Sequence, residues 1–216
     1  MILEKWGFNM KKLLVLAPHM DDENICAGSI MKFIEDGYDV YCSAFTSAPK
    51  SVPKSLPSNA LAADFEKSIK ILGLKESNVF KFEYEVREFS YVRQDILEDL
   101  IVIGKNIKPD IVFTPSSFDT HQDHVVIHQE TLRAFKKTSI LGYEVPWNNF
   151  EFKTNIFIPL EKRHIDKKIE LVKNYKSQIY RRKGDINYYS DLAKIRGAMI
   201  GVEYAECFEA IRFIMR

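Results

Sequence analysis

The sequence predicts an α/β fold, a single domain in which a mostly parallel β-sheet is flanked by helices. Short, largely apolar runs at residues 13–17, 39–46 and 109–115 read as strands buried on both faces. Segments of helical periodicity alternate with them, and the first strand, helix and strand fill about 35 residues, the span of a βαβ unit. A chain of 216 residues suffices for one such domain with a substantial core, and no linker, repeat or low-complexity tract divides it.

The elements follow in order. Residues 13–17, Leu-Leu-Val-Leu-Ala, form the first strand. From residue 22 to 36 the side chains of Ile25, Cys26, Ser29, Ile30, Phe33 and Ile34 recur at helical spacing, and Gly37 closes the run. Residues 39–46, rich in aromatic and β-branched side chains, give a second strand. Residues 47–59 carry three prolines and four serines just past that strand's carboxyl end, which makes them a candidate lid or substrate loop as well as an ordinary surface loop. A helix over 61–72 stops at Gly73, a short strand follows at 78–82, and a helix over 93–105 presents Ile96, Leu97, Leu100, Ile101 and Ile103. The strand at 109–115 leads through a polar loop to a helix at 125–135 and strands at 140–145 and 154–158. Residues 162–180 read as a long amphipathic helix with Ile165, Ile169, Val172 and Tyr175 inward and lysines outward. A last helix covers 188–202, and 208–215 is a terminal strand or helix.

Composition narrows the class of protein. A hydrophobic fraction of 46% and a charged fraction of 28% are ordinary for a soluble globular chain. A formal net charge of +1 argues against nucleic acid as a partner, because non-specific binding depends on neutralising many phosphates. Cys26, Cys42 and Cys207 lie among apolar neighbours in no paired spacing, so they are expected to be buried free thiols. No transmembrane-length apolar run and no signal-type leader occur, and the expected location is cytoplasmic.

Two of the apolar runs end in chemistry. His19, Asp21, Asp22 and Glu23 follow the first strand, and Asp119, His121, Asp123 and His124 follow the strand at 109–115. In an open parallel sheet both loops open at the carboxyl edge, where α/β proteins build their sites. A hydrolytic zinc ion takes about three His or carboxylate ligands and keeps one position for water. His19, Asp22 and His124 can supply that set. Asp21 is then a candidate general base, and His121, as an imidazolium, a candidate to steady an oxyanion or protonate a leaving group. Asp119 or Asp123 can accept an imidazole's second N–H.

Plainer roles compete. Asp21 or Asp22 can cap the following helix, Glu23 can stabilise its N-terminus, and His-Gln-Asp-His can be a solvated loop. His128 is a possible fourth ligand or a packing residue on a helix face, and His164 reads as surface.

Ala17-Pro-His-Met-Asp-Asp-Glu23 resembles the first signature of the PIG-L/LmbE family of zinc-dependent N-acetylglucosaminyl de-N-acetylases, and Asp119-x-His121-x-Asp-His124 is similar to the second. Ile71-Leu-Gly73, Lys108 to Pro115, Tyr143-Glu-Val-Pro-Trp147 and Tyr175-Lys-Ser-Gln178 look like further landmarks of that family. The resemblance implies a Rossmann-like fold and one Zn2+ per chain, or another divalent transition metal. It implies His19, Asp22 and His124 as ligands, Asp21 as general base and His121 as the residue that protonates or stabilises. The implied activity is removal of the N-acetyl group from an N-acetylated amino sugar or its conjugate, including nucleotide- or lipid-linked forms, with release of acetate. Two departures are visible: Thr46-Ser-Ala-Pro-Lys50 replaces the family's glycine-rich turn, and the arginine usual at the start of the next helix is replaced near Leu61. Many relatives begin near Met10, which makes residues 1–9 a candidate extension.

Tyr143, Trp147 and the 47–59 loop are the candidate sugar contacts. The oligomeric state stays open, a homo-oligomer included. The competing readings are a catalytically inactive sugar-binding or scaffold protein of the same fold, and a nucleotide enzyme, for which the G-x-G-x-x-G device is missing after the first strand.

Overall fold

The computed structural model describes residues 10–176, 178 and 186–215. The candidate extension at 1–9 and the far end of the helix read to residue 180 fall outside them. The described residues build one seven-stranded sheet. Its strands are β1 (Lys12–Ala17), β2 (Asp39–Ala44), β3 (Val79–Lys81), β4 (Ile111–Pro115), β5 (Ser139–Tyr143), β6 (Ile156–Leu160) and β7 (Tyr204–Arg212). The helices are α1 (Ala27–Glu35), α2 (Ala60–Leu72), α3 (Arg93–Ile107), α4 (Gln122–Ala134), α5 (Lys162–Asn174) and α6 (Asn187–Ala198).

The strand order is β3-β2-β1-β4-β5-β7-β6, and only β7 runs antiparallel to its neighbours. The chain winds outward from β1 through β2 to β3, then returns to the other side of β1 with β4. The strand order therefore reverses between β1 and β4, and such a switch point opens a crevice at the carboxyl ends of the two strands. The loops carrying His19 and His124 leave those two ends.

Strand β1 is buried on both faces because its alternate side chains serve two cores. Leu13, Val15 and Ala17 pack in a cluster with Ile30 of α1, Phe65 of α2 and Leu171 of α5. Leu14 and Leu16 pack in the opposite cluster with Leu100 of α3 and Ile127 of α4. This is a three-layer sandwich, and a central parallel strand covered on both sides has no place for a polar residue. All three cysteines are buried and free, as expected. No helix of the described residues is long and apolar enough to cross a membrane.

Several boundaries differ from the periodicity reading. The segment after β1 starts as a 3-10 turn, Asp22–Cys26, before α1, and the Asn24 amide donates to the Asp21 carbonyl there. Helix α4 starts at Gln122 rather than 125, because His121 acts as its cap. Helix α5 ends at Asn174, whose amide donates to the Asp64 carbonyl at 2.7 Å, and Tyr175 leaves the helical path to reach Glu23. The carboxyl-terminal segment is a strand that begins already at Tyr204.

Two side chains of α5 correct the sequence reading. His164 is not a surface residue: it is 2% exposed, its Nδ1 accepts the Glu161 backbone N–H at 3.0 Å in a capping box, and its Nε2 meets Glu35 at 2.9 Å. Lys168 is not part of the solvated lysine face. Its buried ammonium donates to Glu206 and to the Ile25 carbonyl, both at 2.6 Å.

Candidate active site

After β1 the chain turns sharply, with the Asp22 N–H donating to the His19 carbonyl at 3.2 Å. The Asp22 carboxylate answers by accepting the His19 backbone N–H at 2.8 Å. Asp21 makes no side-chain cap bond to the 3-10 turn. Neither aspartate is occupied as a helix cap, so the plainer role for this acidic run is not the one the fold uses.

The β4 loop closes on the turn from the other side. His19 Nδ1, Asp22 Oδ2 and His124 Nε2 lie 3.1, 3.2 and 3.2 Å from one another. Each imidazole is held through its remaining nitrogen: His19 Nε2 meets Asp123 Oδ2 at 3.0 Å, and His124 Nδ1 meets Asp119 Oδ2 at 2.7 Å. Both loop aspartates orient an imidazole, so the choice between Asp119 and Asp123 left by the sequence resolves into one partner for each ring. Ligand-type atoms of His19, Asp21 and Asp22, and likewise of His19, His121 and His124, fall within 4.8 Å of one another and could hold a metal ion.

The electrostatics are those of donors crowded out of water. Burial works against charge on His19, but Asp22 and the bonds to Asp123 and Asp22 raise its pKa to about 9. Burial likewise opposes charge on His124, and Asp22 with Asp119 lifts it to about 10. Asp22 shows the reverse balance: burial alone would raise its pKa, and His124 and His19 hold it well below the carboxylate range.

His121 behaves differently. Its Nδ1 accepts the Asp123 backbone N–H at 3.2 Å, and burial together with the charges of His124 and His19 lowers its pKa to about 4. The imidazolium expected from the sequence is therefore disfavoured. A neutral ring whose Nδ1 accepts carries its proton on Nε2, leaving a hydrogen-bond donor.

These residues surround a cavity of about 220 Å³. His19, Asp21, Asp22, His121 and His124 form its polar end, and Ala48, Val52, Leu61 and Val86 form an aliphatic wall. Trp147, Asn148 and Gln178 complete the lining. Trp147 and the 47–59 loop thus reach the cavity. Tyr143, the other candidate sugar contact, does not: it is 1% exposed and its hydroxyl donates to the Leu16 carbonyl at 2.9 Å. His128 donates to the Pro115 carbonyl at 2.9 Å and stands apart from the cluster as a packing residue.

Leu61, near which the family's usual arginine is replaced, lines the cavity, whereas sequence reasoning missed Val86 as lining, and Arg87, whose backbone N–H donates to Asp123 Oδ2 at 2.8 Å. Arg87 adopts a left-handed conformation, φ 70°, which its residue type does not announce. Glu23 also has a different place from the one expected. It is fully buried, accepts from Ser68 Oγ and Tyr175 OH at 2.5 Å each, and burial raises its pKa to about 8. A carboxyl that holds its proton gains little from a helix dipole, so helix-terminal stabilisation is not its role.

The family model described as PIG-L, GlcNAc-PI de-N-acetylase, matches residues 14–135. YaiS, an uncharacterized deacetylase of Escherichia coli K12, is 24% identical over 173 residues, which cover 77% of this chain and 91% of that one. N,N'-diacetylchitobiose deacetylase from Pyrococcus horikoshii has the same fold, with a TM-score of 0.77 at 23% identity over 93% of this chain and 84% of its own. So does GalB, the 4-carboxy-2-hydroxymuconate hydratase of Pseudomonas putida KT2440, with a TM-score of 0.77 at 19% identity over 96% and 98%. At such identities the two structures speak for the fold alone. The family match spans more than half of the 216 residues and takes in both histidine loops, so the chain belongs to the PIG-L family of deacetylases, amide hydrolases acting on carbon–nitrogen bonds other than peptide bonds.

Proposed function

We propose that the protein is a zinc-dependent N-deacetylase that releases acetate from an N-acetylated amino sugar or its conjugate. One observation carries the reading, the triangle of His19 Nδ1, Asp22 Oδ2 and His124 Nε2 with edges of 3.1–3.2 Å. Ligand atoms about 2.0–2.1 Å from a tetrahedral zinc ion stand about 3.3 Å apart, so the three donors already have nearly the spacing zinc requires. Two imidazoles and one carboxylate are also the donor set of hydrolytic zinc sites, and they suit other divalent transition metals as well.

Bound zinc would supply Lewis acidity toward the acetyl carbonyl and acidify a water molecule. The chain supplies the rest. Asp21, at the polar end of the cavity and outside the triangle, accepts the proton of the attacking water. The His121 N–H donates to the carbonyl oxygen as that atom gains charge. The departing amine takes its proton from Asp21, which held it a step earlier, because a neutral His121 with a lowered pKa is a better hydrogen-bond donor than proton source. Asp119 and Asp123 keep both ligand rings in register.

The cavity of about 220 Å³ is small and open to a flat ring contact at Trp147, which fits one amino-sugar unit. Deacetylation of N,N'-diacetylchitobiose by the structural relative supports a sugar substrate. The hydratase of like fold shows that the site must carry the assignment.

The test is acetate release from free, lipid-linked and nucleotide-linked N-acetylglucosamine by metal-stripped protein, with and without added zinc. Zinc-restored release from at least one of them is expected. No release from any would overturn the reading and leave the inactive sugar-binding protein as its successor.

A further inference from the structure

At the edge of the sheet opposite the histidine loops lies a second concavity of about 430 Å³. It sits where α3 and α4 end and β4 and β5 begin, with Ile101, Ala134 and Phe135 in its floor. Lys105, Lys108, Lys136 and Lys137 stand around it, and Asp110 is the one acidic side chain of the lining. Two more cations flank it: the Lys12 ammonium donates to the Ile107 carbonyl at 3.1 Å, and the Arg212 guanidinium donates to the Phe135 carbonyl at 2.7 Å.

Lysines commonly follow helix C-termini, where they complement the backbone dipole. Magnitudes decide whether that is enough here. Two helix ends carry together about one unit of negative charge, and Asp110 adds another. Lys105, Lys108, Lys136, Lys12 and Arg212, five cations, against these leave an excess of about three positive charges in one groove, on a chain whose whole formal charge is +1. Lys105, Lys108 and Lys136 make no ion pair among the described residues.

Lys108 adds an independent observation. It occupies the C-cap of α3 at φ 54°, ψ 63°, the left-handed position where glycine is the unstrained choice. A side chain held there against local preference, with its charge unpaired at the rim of a concavity, calls for something to bind.

From the concavity, the excess of unpaired ammonium groups and the strained lysine, the geometry points to an anion site that takes a ligand carrying two or more phosphate groups. Compact ammonium charges on flexible stems suit phosphates, and the apolar floor suits the body of a phosphorylated molecule. The same chemistry is presented by a soluble polyphosphate and by clustered phospholipid headgroups. This site is independent of the deacetylase reading and stands or falls separately from it.

The full chain is titrated with inorganic tripolyphosphate by calorimetry, and is sedimented with phosphatidylcholine vesicles with and without phosphatidylserine. Tripolyphosphate binding that weakens with salt, and that is about tenfold or more weaker in Lys108→Glu/Lys136→Glu, would support a soluble ligand. Sedimentation with the anionic vesicles alone, lost in the same variant, would assign the site to headgroups. Lys108→Gly should weaken binding while raising the melting temperature, a combination that a purely structural lysine would not give. Absence of binding to both probes at low salt, or binding unchanged in the double variant, would overturn the proposal.

Discussion

His19 Nε2 lies 3.0 Å from Asp123 Oδ2, so the first histidine loop is held by a carboxylate from the second. The same oxygen accepts the Arg87 backbone N–H at 2.8 Å, while the buried Asp123 Oδ1 has no hydrogen-bond partner among the described residues. One side chain thus ties three loops together at the polar end of the cavity. Its removal frees the His19 ring to rotate. Asp123→Ala is expected to weaken metal binding about 10–100-fold, the range for losing a carboxylate behind a ligating imidazole. Chelator competition on the purified variant measures it, and unchanged affinity would mean that His19 is not a ligand.

Asp21 separates the two jobs proposed for neighbouring acids. Asp22 is locked between His19 and His124, whereas Asp21 lines the cavity outside the triangle. Asp21→Asn should leave metal content at the wild-type level and lower turnover by about 100-fold or more, as expected for loss of a general base. Metal analysis beside the acetate assay distinguishes this from loss of a ligand. Turnover near the wild-type level would remove Asp21 from the chemistry.

How much of this was legible in the chain depends on the kind of interaction. Strand β1 and its charged exit were readable because a parallel strand buried on both faces must be continuously apolar, and its sudden end in His19 and Asp22 breaks that rule visibly. The meeting of His19 with His124 followed once the sheet was taken as parallel. Three things could not be read. His164 and Lys168 look like members of a solvated helix face, and only partners distant in sequence, Glu35 and Glu206, bury them. Tyr143 looks like an available aromatic, and its β5 register sends it to the Leu16 carbonyl instead. The wall residue Val86 is an ordinary aliphatic whose neighbours are set by tertiary packing alone.

Proton release follows from the pairing at the triangle. Without metal, His19 and His124 hold protons up to about pH 9 and 10. Both folded values exceed that of an unfolded histidine, so these pairs stabilise the metal-free fold fully below about pH 6.5 and lose that effect as the pH rises through 9. A metal ion needs the neutral imidazoles, so its binding at pH 7 should expel about two protons, and its apparent affinity should rise with pH. Calorimetric titration in buffers of different ionisation enthalpy counts them. A count of zero would show that these two rings are not the ligands.

Glu23 has the opposite linkage. Burial keeps its proton on up to about pH 8, against 4.5 in an unfolded chain. The unfolded chain therefore gives up this proton first, and between those values the native state loses relative stability as pH rises. Glu23→Gln keeps an oxygen for Ser68 and Tyr175 and cannot ionise. The variant should match the wild type near pH 5 and exceed it by on the order of 1 kcal/mol or more at pH 8. Denaturant melts at both values test this, and a difference independent of pH would show that Glu23 is ionised in the fold.

The buried pair Lys168 and Glu206 lies behind the turn that carries Asp22. Glu206 accepts from the Gly28 and Ser29 backbone N–H groups at 3.2 and 2.7 Å and from Ser29 Oγ at 2.6 Å, at the start of α1. Lys168 joins that carboxylate to the Ile25 carbonyl inside the 3-10 turn. Losing Lys168 alone leaves a buried carboxylate with its helix-end donors but without its cation, which typically costs about 3–5 kcal/mol. Losing both charges removes the uncompensated group, so Lys168→Met/Glu206→Gln should be less destabilised than the sum of the single variants. A double-mutant cycle on unfolding free energies reads the difference, and additive costs would mean that the two side chains do not act as a pair. Gly28 belongs to the same packing: a Cβ there would stand 2.5 Å from Leu160 Cδ1 and 3.0 Å from Glu206 Oε1, so Gly28→Ala should push apart the contacts that the pair holds closed.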